Sequence, residues 1–370
     1  MTLPPHDAPP SPLAAKLAER IAATGPISVH NYMEACLYDP GHGYYRKRDP
    51  IGQGGDFITA PEISQVFGEL IGLWAGEAWR QMGEPSVVQL IELGPGRGLL
   101  MADALRALRV LPRFLESATV HLVETSEPLR ESQRAALASA PVPVSWHEDI
   151  GQAPDGPAIV IANEFFDCLP VRQFVFDAAA RRWRERMVTF EDGAFKFAPG
   201  AAVEAADHFR DAETIDDGAI LELCPGAGGV IESFAARAPS AALIIDYGYV
   251  RPSLGDTIQA VRRHRFANLF DAPGESDLTA HVDFFRLQQA AEEAGLSAFG
   301  PMPMGEWLLR LGLEARAAQL VAHASEEETA ELRSRLMRLV DPAQMGVLFK
   351  VLALTNGISA PPPPFSQMFS

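Results

Sequence analysis

The stretch Val87–Leu100, V-V-Q-L-I-E-L-G-P-G-R-G-L-L, decides the fold. Val87, Val88, Leu90 and Ile91 form a short apolar run of strand formers, bounded by Gly83-Glu84-Pro85 upstream and Gly94 downstream. Such a run suits a strand buried on both faces of a parallel sheet. Gly94, Gly96 and Gly98 follow, then Leu99–Leu105 with the composition of a helix. Strand, tight turn and helix make the first unit of a doubly wound α/β fold, whose ligands sit outside the carboxyl ends of the strands. Glycines at that turn let the backbone bend sharply and approach a ligand closely.

The spacing narrows the ligand. In the dinucleotide fingerprint G-x-G-x-x-G the third glycine falls one residue later, where this chain has Leu99. A phosphate loop needs Gly-Lys-Ser/Thr, and the turn contains no lysine. Glu92, two positions before a G-x-G-x-G turn, resembles motif I of the Rossmann-like S-adenosylmethionine (AdoMet) methyltransferases. The resemblance implies that Gly94, Gly96 and Gly98 pack on the methionine part of the cofactor. It also implies that Glu92 holds the cationic amino group, directly or through water. A glycine-rich turn with no ligand is the alternative that the motif alone leaves open.

Composition bounds the rest. A chain of 370 residues allows about two or three domains. No apolar run reaches the roughly 18 residues of a membrane helix, so no membrane insertion is expected. With 31 basic and 48 acidic residues the net charge is −17, which argues against a nucleic-acid partner. The charge is compatible with a basic protein substrate, although solubility explains it equally. Cys36, Cys168 and Cys224 are scattered and expected to be reduced. The nine histidines form no ligand-spaced cluster, so no metal is expected. Met1–Pro12 is proline-rich without arginine, unlike a secretory or transit peptide, and the expected location is a bacterial cytoplasm.

Upstream, Ser11-Pro12 and Ser28 read as caps of two helices, the first carrying Leu13, Leu17 and Ile21 on one face. A glycine-rich approach, Gly52–Glu62, then leads to Ile63, Val66, Phe67, Leu70, Ile71 and Trp74 at helical spacing. Thr59 and Glu62 are spaced as a capping box. The approach, with Asp56 and Thr59, is either a plain loop or one that folds over a cofactor.

Downstream, Thr119–Glu124 reads as the second strand, its terminal Glu124 placed to accept hydrogen bonds from ribose hydroxyls. Val142–Trp146 is the third strand, and the Glu148-Asp149 that follows stands where such folds contact the adenine amino group. Ala158–Ala162 is the fourth, running into Asn163-Glu164-Phe165-Phe166-Asp167-Cys168-Leu169-Pro170. Polar groups at the carboxyl end of a central strand lie where doubly wound folds act on substrates; capping of the next turn is the other reading of Glu164 and Asp167. Val171–Phe176 and Arg182–Phe190 read as an inserted hairpin. Glu222–Gly228 nearly repeats Glu92–Gly98, but Cys224 replaces the first glycine and the preceding strand is shorter, so it ranks second as a cofactor turn. Asp246 ends the strand Ala242–Ile245 beyond it. Gly255–Thr279 reads as loop, the Arg262–Arg265 cluster as solvated surface, and His281 as a structural histidine or a proton acceptor. Pro361–Pro364 reads as a loosely ordered tail.

Four stretches together resemble the MidA family, bacterial relatives of the mitochondrial complex I assembly arginine methyltransferase: Gly55–Gln65, Glu92–Gly98, Asn163–Pro170 and Asp277–Phe284. The resemblance runs from about Pro12 to about Leu354. It implies a Rossmann-like class I AdoMet-dependent methyltransferase sheet with a helical N-terminal extension and inserted substrate-side segments. Ala60 and Cys168 depart from the residues usual in the family without removing a charge. Cys224-Pro225-Gly226 stands where the family often has a Ser-Pro-Ala type sequence, which fits its lower rank.

The expected layout is an extension with a covering loop (1–60), a core (61–250) with a hairpin insertion (171–195), a helical substrate-side segment (251–340), a final core strand (341–357) and a tail (358–370). The expected cofactor is AdoMet, held by Asp56, Thr59, Glu92, Gly94, Gly96, Gly98, Glu124, Asp149 and Asn163. Glu164 and Asp167 are the expected catalytic carboxylates, acting on a protein arginine, with a respiratory complex I subunit as the kind of partner the family implies. A homodimer is left open. Relatives in eukaryotes imply a mitochondrial matrix location there. The competing readings are a non-catalytic AdoMet-binding assembly factor and a small-molecule O- or N-methyltransferase.

Overall fold

All six residues of β1 (Val88–Leu93) are buried, Gln89 and Glu92 included, as in a strand covered on both faces of a parallel sheet. The computed structural model describes residues 11–47, 52, 56, 58–203, 215–322, 324–358 and 360–365. Part of the expected covering loop, Gln53–Gly55 and Phe57, lies outside the described residues. The chain forms two compact units, Met1–Pro50, Leu169–Pro225 and Ser253–Ala280 in one and Ile51–Cys168, Gly226–Pro252 and His281–Ser370 in the other.

The second unit holds the sheet that β1 begins. After it come β2 (Ala118–Val123), β3 (Val144–His147), β4 (Ala158–Asn163), β5 (Ser240–Tyr249), β6 (Ser297–Pro303) and β7 (Phe349–Asn356). Their spatial order is 3-2-1-4-5-7-6, and the two-residue strand Val282–Asp283 pairs beside the end of β5. Strands β1 to β5 are mutually parallel, whereas β7 runs antiparallel between β5 and β6. This is the doubly wound order 3-2-1-4-5-6 with one antiparallel strand wedged in. The last strand starts three residues later than its apolar run, because Met345–Leu348 first makes a helical turn.

Helices α1 (Gln65–Gln81), α2 (Leu99–Ala107) and α3 (Glu127–Ala136) belong to the same unit. The apolar face read from sequence, Val66, Phe67, Leu70, Ile71 and Trp74, is buried in its core. Ile63 belongs instead to a separate turn, Ala60–Ile63, because the chain breaks at Ser64 (φ −157°, ψ 133°). Ser64 caps α1, its hydroxyl accepting from Val66 N–H at 3.3 Å. The expected Thr59–Glu62 capping box is therefore corrected. Thr59 makes no side-chain cap bond, and Glu62 is drawn to the Arg97 guanidinium at 3.3 Å. A β-carbon on Gly72 would lie 2.5 Å from the Ala104 carbonyl oxygen, so α1 and α2 touch backbone to backbone.

The first unit carries the expected helices Pro12–Thr24 and Val29–Tyr38, capped by Ser11 and Ser28. The inserted hairpin is present as Arg172–Asp177 and Arg182–Glu191 and grows into a five-stranded antiparallel sheet. Two expectations fail. The stretch read as loop, Gly255–Thr279, contains a three-stranded sheet of Gln259–Arg262, Arg265–Ala267 and Asp277–Thr279. Strands of three or four residues are too short to show a period of two. In the second unit, the proline-rich end is not loose as far as Phe365, which packs in the main core at 3 % exposure. An aromatic anchor there outweighs the composition around it.

Three polar side chains bridge β1, β2 and β3. Nδ1 of His121 lies 2.9 Å from Nε2 of His147, and Nε2 of His121 lies 2.7 Å from the Gln89 amide oxygen. Burial, with the neighbouring His147 and Arg237 charges, pushes His121 down to about 4. The unfolded chain takes up this proton near 6.5, so the neutral pair contributes stability above that pH. That stability is lost as pH falls from about 6.5 to about 4, a loss of roughly 3 kcal/mol for one group. Urea denaturation of wild type and His121→Gln across this range should show the steeper acid loss in wild type.

Candidate active site

The turn after β1 needs its glycines. Gly94, Gly96 and Gly98 have φ of 59°, 52° and 80°, the left-handed region that L side chains avoid. Gly98 N-caps α2 and offers no side chain to its first amides. Those amides remain donors for an outside acceptor. A β-carbon on Gly98 would lie 3.2 Å from Gln133, and one on Gly94 3.2 Å from the Phe165 ring. Gly98→Ala should therefore cost about 1–2 kcal/mol from the backbone alone, read as a lower urea midpoint.

Glu92 is the most informative single residue. It is 2 % exposed, and its Oε2 has no hydrogen-bond partner among the described residues. Burial alone pushes its carboxyl up to about 8. A buried orphan of this kind is expensive. A cation arriving with a ligand would satisfy it, as the amino group of AdoMet would, so the residues present fit that cofactor.

Glu124, just past β2, is buried and accepts from Ser126 N–H at 2.7 Å and the Gln133 amide at 3.3 Å. Burial raises its carboxyl. The Gln133 amide also donates to the Gly96 carbonyl at 2.7 Å and accepts from the Trp146 indole at 2.9 Å. Gln133 thus ties the glycine turn, Glu124 and β3 together, and the sequence reading missed it. Asp149, past β3, is exposed, with Oδ1 on Gly151 N–H at 2.7 Å. Asn163 ends β4 with its amide oxygen buried and without a partner among the described residues. Glu92, Glu124, Asp149 and Asn163 therefore stand at the carboxyl ends of four adjacent strands. Asp56 is 1 % exposed in the same unit, and the segment with Thr59 is fastened by Ala60 N–H donating to Glu164 at 3.1 Å.

The carboxylates past β4 come together with one from β5. Glu164 has φ +50°, a strain of order 1–3 kcal/mol that only a well-determined surrounding maintains. Its Oε1 also accepts from the Asn163 amide at 3.2 Å. Asp167 is buried, which pushes it up to about 6, while the Tyr247 hydroxyl and two backbone amides pull the other way. Asp246 is fully buried, and burial with the like charges of Asp167 and Glu164 pushes it up. His281 stacks edge-on against Tyr247 at 5.4 Å, and burial keeps it neutral. Among the described residues no three His, Cys, Asp or Glu gather as a metal site.

The second glycine stretch has different surroundings. Glu222 lies in the strand Ile220–Leu223 of the first unit, its carboxylate bonded to Thr257 and, at 2.7 Å, to Gln173. Gly226, Gly228 and Gly229 lie inside the helix Pro225–Ala235, where a β-carbon on any of them would meet nothing within 4 Å. They make no turn and no close approach.

The sheet order, the glycine turn and the orphan acid define a class I AdoMet-dependent methyltransferase. A crystal structure of a COG1565 superfamily member from Burkholderia thailandensis, bound to S-adenosyl-homocysteine, superposes with a TM-score of 0.82 at 30% identity, covering 94% of this chain and 92% of that one. A native structure from the same organism gives 0.81 at 31% identity, covering 96% and 94%. Among sequence relatives, the human mitochondrial protein arginine methyltransferase NDUFAF7 is 36% identical, covering 95% of this chain and 85% of its own length. Its Drosophila melanogaster homologue is 37% identical, covering 94% and 86%. The model of a family of S-adenosyl-L-methionine-dependent methyltransferases matches residues 70–302, and the chain belongs to that family.

Proposed function

We propose that this methyltransferase modifies a guanidinium nitrogen of an arginine in a protein, with Glu164 and Asp167 as the carboxylates that receive it. The observation that carries the reading is the pair of acids on the turn past β4, one of them buried, beside the strand ends that carry Glu92, Glu124 and Asn163. The names of the relatives, protein arginine methyltransferases, support it. So does a net charge of −17, which favours the approach of cationic segments.

Bound AdoMet supplies an electrophilic methyl group on a sulfonium sulfur. Glu92 would hold its amino group, the Gly94–Gly98 turn its methionine part, Glu124 its ribose and Asp149 its adenine, with Asp56, Thr59 and Asn163 completing the site. An arginine side chain stays protonated below about pH 12. The chain's own task is therefore to orient a cation and accept one proton from the nitrogen that is methylated. Two carboxylates can take forked N–H bonds from one guanidinium. Asp167, whose carboxyl burial pushes up from the ordinary range, accepts the proton on its carboxylate. The compartment that goes with this reading is a bacterial cytoplasm, which three unbridged cysteines fit.

The test is incubation with radiolabelled AdoMet and extract from a strain lacking the gene. Methylarginine in a labelled protein, found by mass spectrometry, is the expected result. Label confined to small metabolites would overturn the protein assignment in favour of a small-molecule methyltransferase.

A further inference from the structure

The turn past β4 holds Glu164 in a strained conformation, and something must keep it there. Strand pairing supplies the first restraint, Glu164 N–H donating to the Ile245 carbonyl at 2.9 Å. The β4–β5 ladder ends at that point, with Asn163 opposite Ile245 as its last pair. The next restraints come from one side chain. Oδ2 of Asp246 accepts from Phe166 N–H at 3.0 Å and from Asp167 N–H at 3.2 Å. Its Oδ1 accepts from Tyr247 N–H at 2.9 Å. The Tyr247 side chain in turn hydrogen-bonds the Asp167 carboxylate. Three consecutive residues of β5 thus grip the turn that presents Glu164 and Asp167.

We propose that Asp246 is the positioning residue of the methyl-transfer site: through the Phe166 and Asp167 amides it holds both carboxylates on one guanidinium. The proposal rests on the reading of Glu164 and Asp167 given above. Asp246 acts through these amides and does not itself touch the substrate. The groups facing it are Glu164 and Asp167 on the turn, Tyr247 on its own strand, Lys350 opposite it on β7, and His281 against the Tyr247 ring. The Lys350 ammonium is engaged by the Val347 and Leu348 carbonyls, and His281 is neutral by burial. Negative neighbours therefore dominate, and with burial they push the Asp246 carboxyl up toward its neutral form, so its hold on the turn rests on hydrogen bonds.

The experiment compares wild type with Asp246→Asn and Asp246→Ala. Amide hydrogen exchange on the free protein should be faster at Phe166 and Asp167 in Asp246→Ala. Methyl transfer into the labelled protein of the extract should fall roughly 100-fold in Asp246→Ala, with calorimetric affinity for S-adenosylhomocysteine unchanged. Asp246→Asn keeps an acceptor oxygen for the two amides and so should keep most of the rate and the slow exchange. Wild-type transfer by Asp246→Ala, or an equal loss of rate in Asp246→Asn, overturns the proposal. If Asp246→Ala does not fold, Asp246→Asn decides: slow exchange with most of the rate kept supports the proposal, and slow exchange with the rate lost overturns it. Should Glu164→Gln and Asp167→Asn keep full activity while the exchange result holds, the arginine reading fails and the grip on the turn stands.

Discussion

Replacing Glu164 with glutamine and Asp167 with asparagine together is expected to lower methyl transfer by about 10³-fold or more, with the affinity for S-adenosylhomocysteine nearly unchanged. The amides keep the shape of both side chains. In the Glu164→Gln change the remaining amide oxygen can still accept from the Ala60 and Asn163 N–H groups that Glu164 receives at 3.1 and 3.2 Å, so the turn should survive. What disappears is negative charge facing a cation and the basic site for its proton. Each single variant should lose most of this activity, because groups that act as one unit are strongly non-additive. Transfer at a tenth of the wild-type rate or better by the double variant would show that the chemistry is done elsewhere.

Glu92→Gln should move affinity and stability in opposite directions. Taking away the buried charge that meets a cationic amino group is expected to weaken AdoMet binding by about 2–4 kcal/mol, or roughly 30- to 1000-fold. In the free protein the same change removes a carboxyl that burial holds at about 8. The ordinary value is 4.5, so the folded state binds this proton more tightly than the unfolded one. Wild-type stability should therefore fall as pH rises from about 4.5 through about 8, and the glutamine variant should lack that slope. Cofactor binding at pH 7 should also release a proton in wild type only, visible by calorimetry in buffers of different ionisation enthalpy. Equal proton release by both proteins would exclude Glu92 as the partner of the amino group.

These two residue sets were legible in the sequence because each sits within a few positions of a strand end. Glu92 announces itself by its offset from three glycines, and Glu164 and Asp167 by polarity following an unbroken apolar run. Gln133 and Asp246 were not legible in that way. Gln133 lies mid-helix with nothing unusual beside it, and only folding brings it onto Gly96, Glu124 and Trp146. Asp246 was visible as the end of a core strand, but its bond to Phe166 spans 80 residues, which local spacing cannot register. The break at Ser64 is a similar case, since Ile63 continues the helical period of α1 without belonging to it. Gly68 and Gly72, four apart, meet the Leu100 and Ala104 backbone of α2, a close approach that the sequence reading did not draw from them.

The strand ends that carry Glu92, Glu124, Asp149 and Asn163 come from one uninterrupted run of sequence, whereas Asp246 arrives only after the chain has left to make another sheet and returned. A ribosome adding about 5–20 residues per second therefore releases the last of those strand ends roughly 4–16 s before Asp246. During that interval the turn past β4 lacks the acid that accepts from its Phe166 and Asp167 amides. Synthesis thus delivers the turn first and its restraint second.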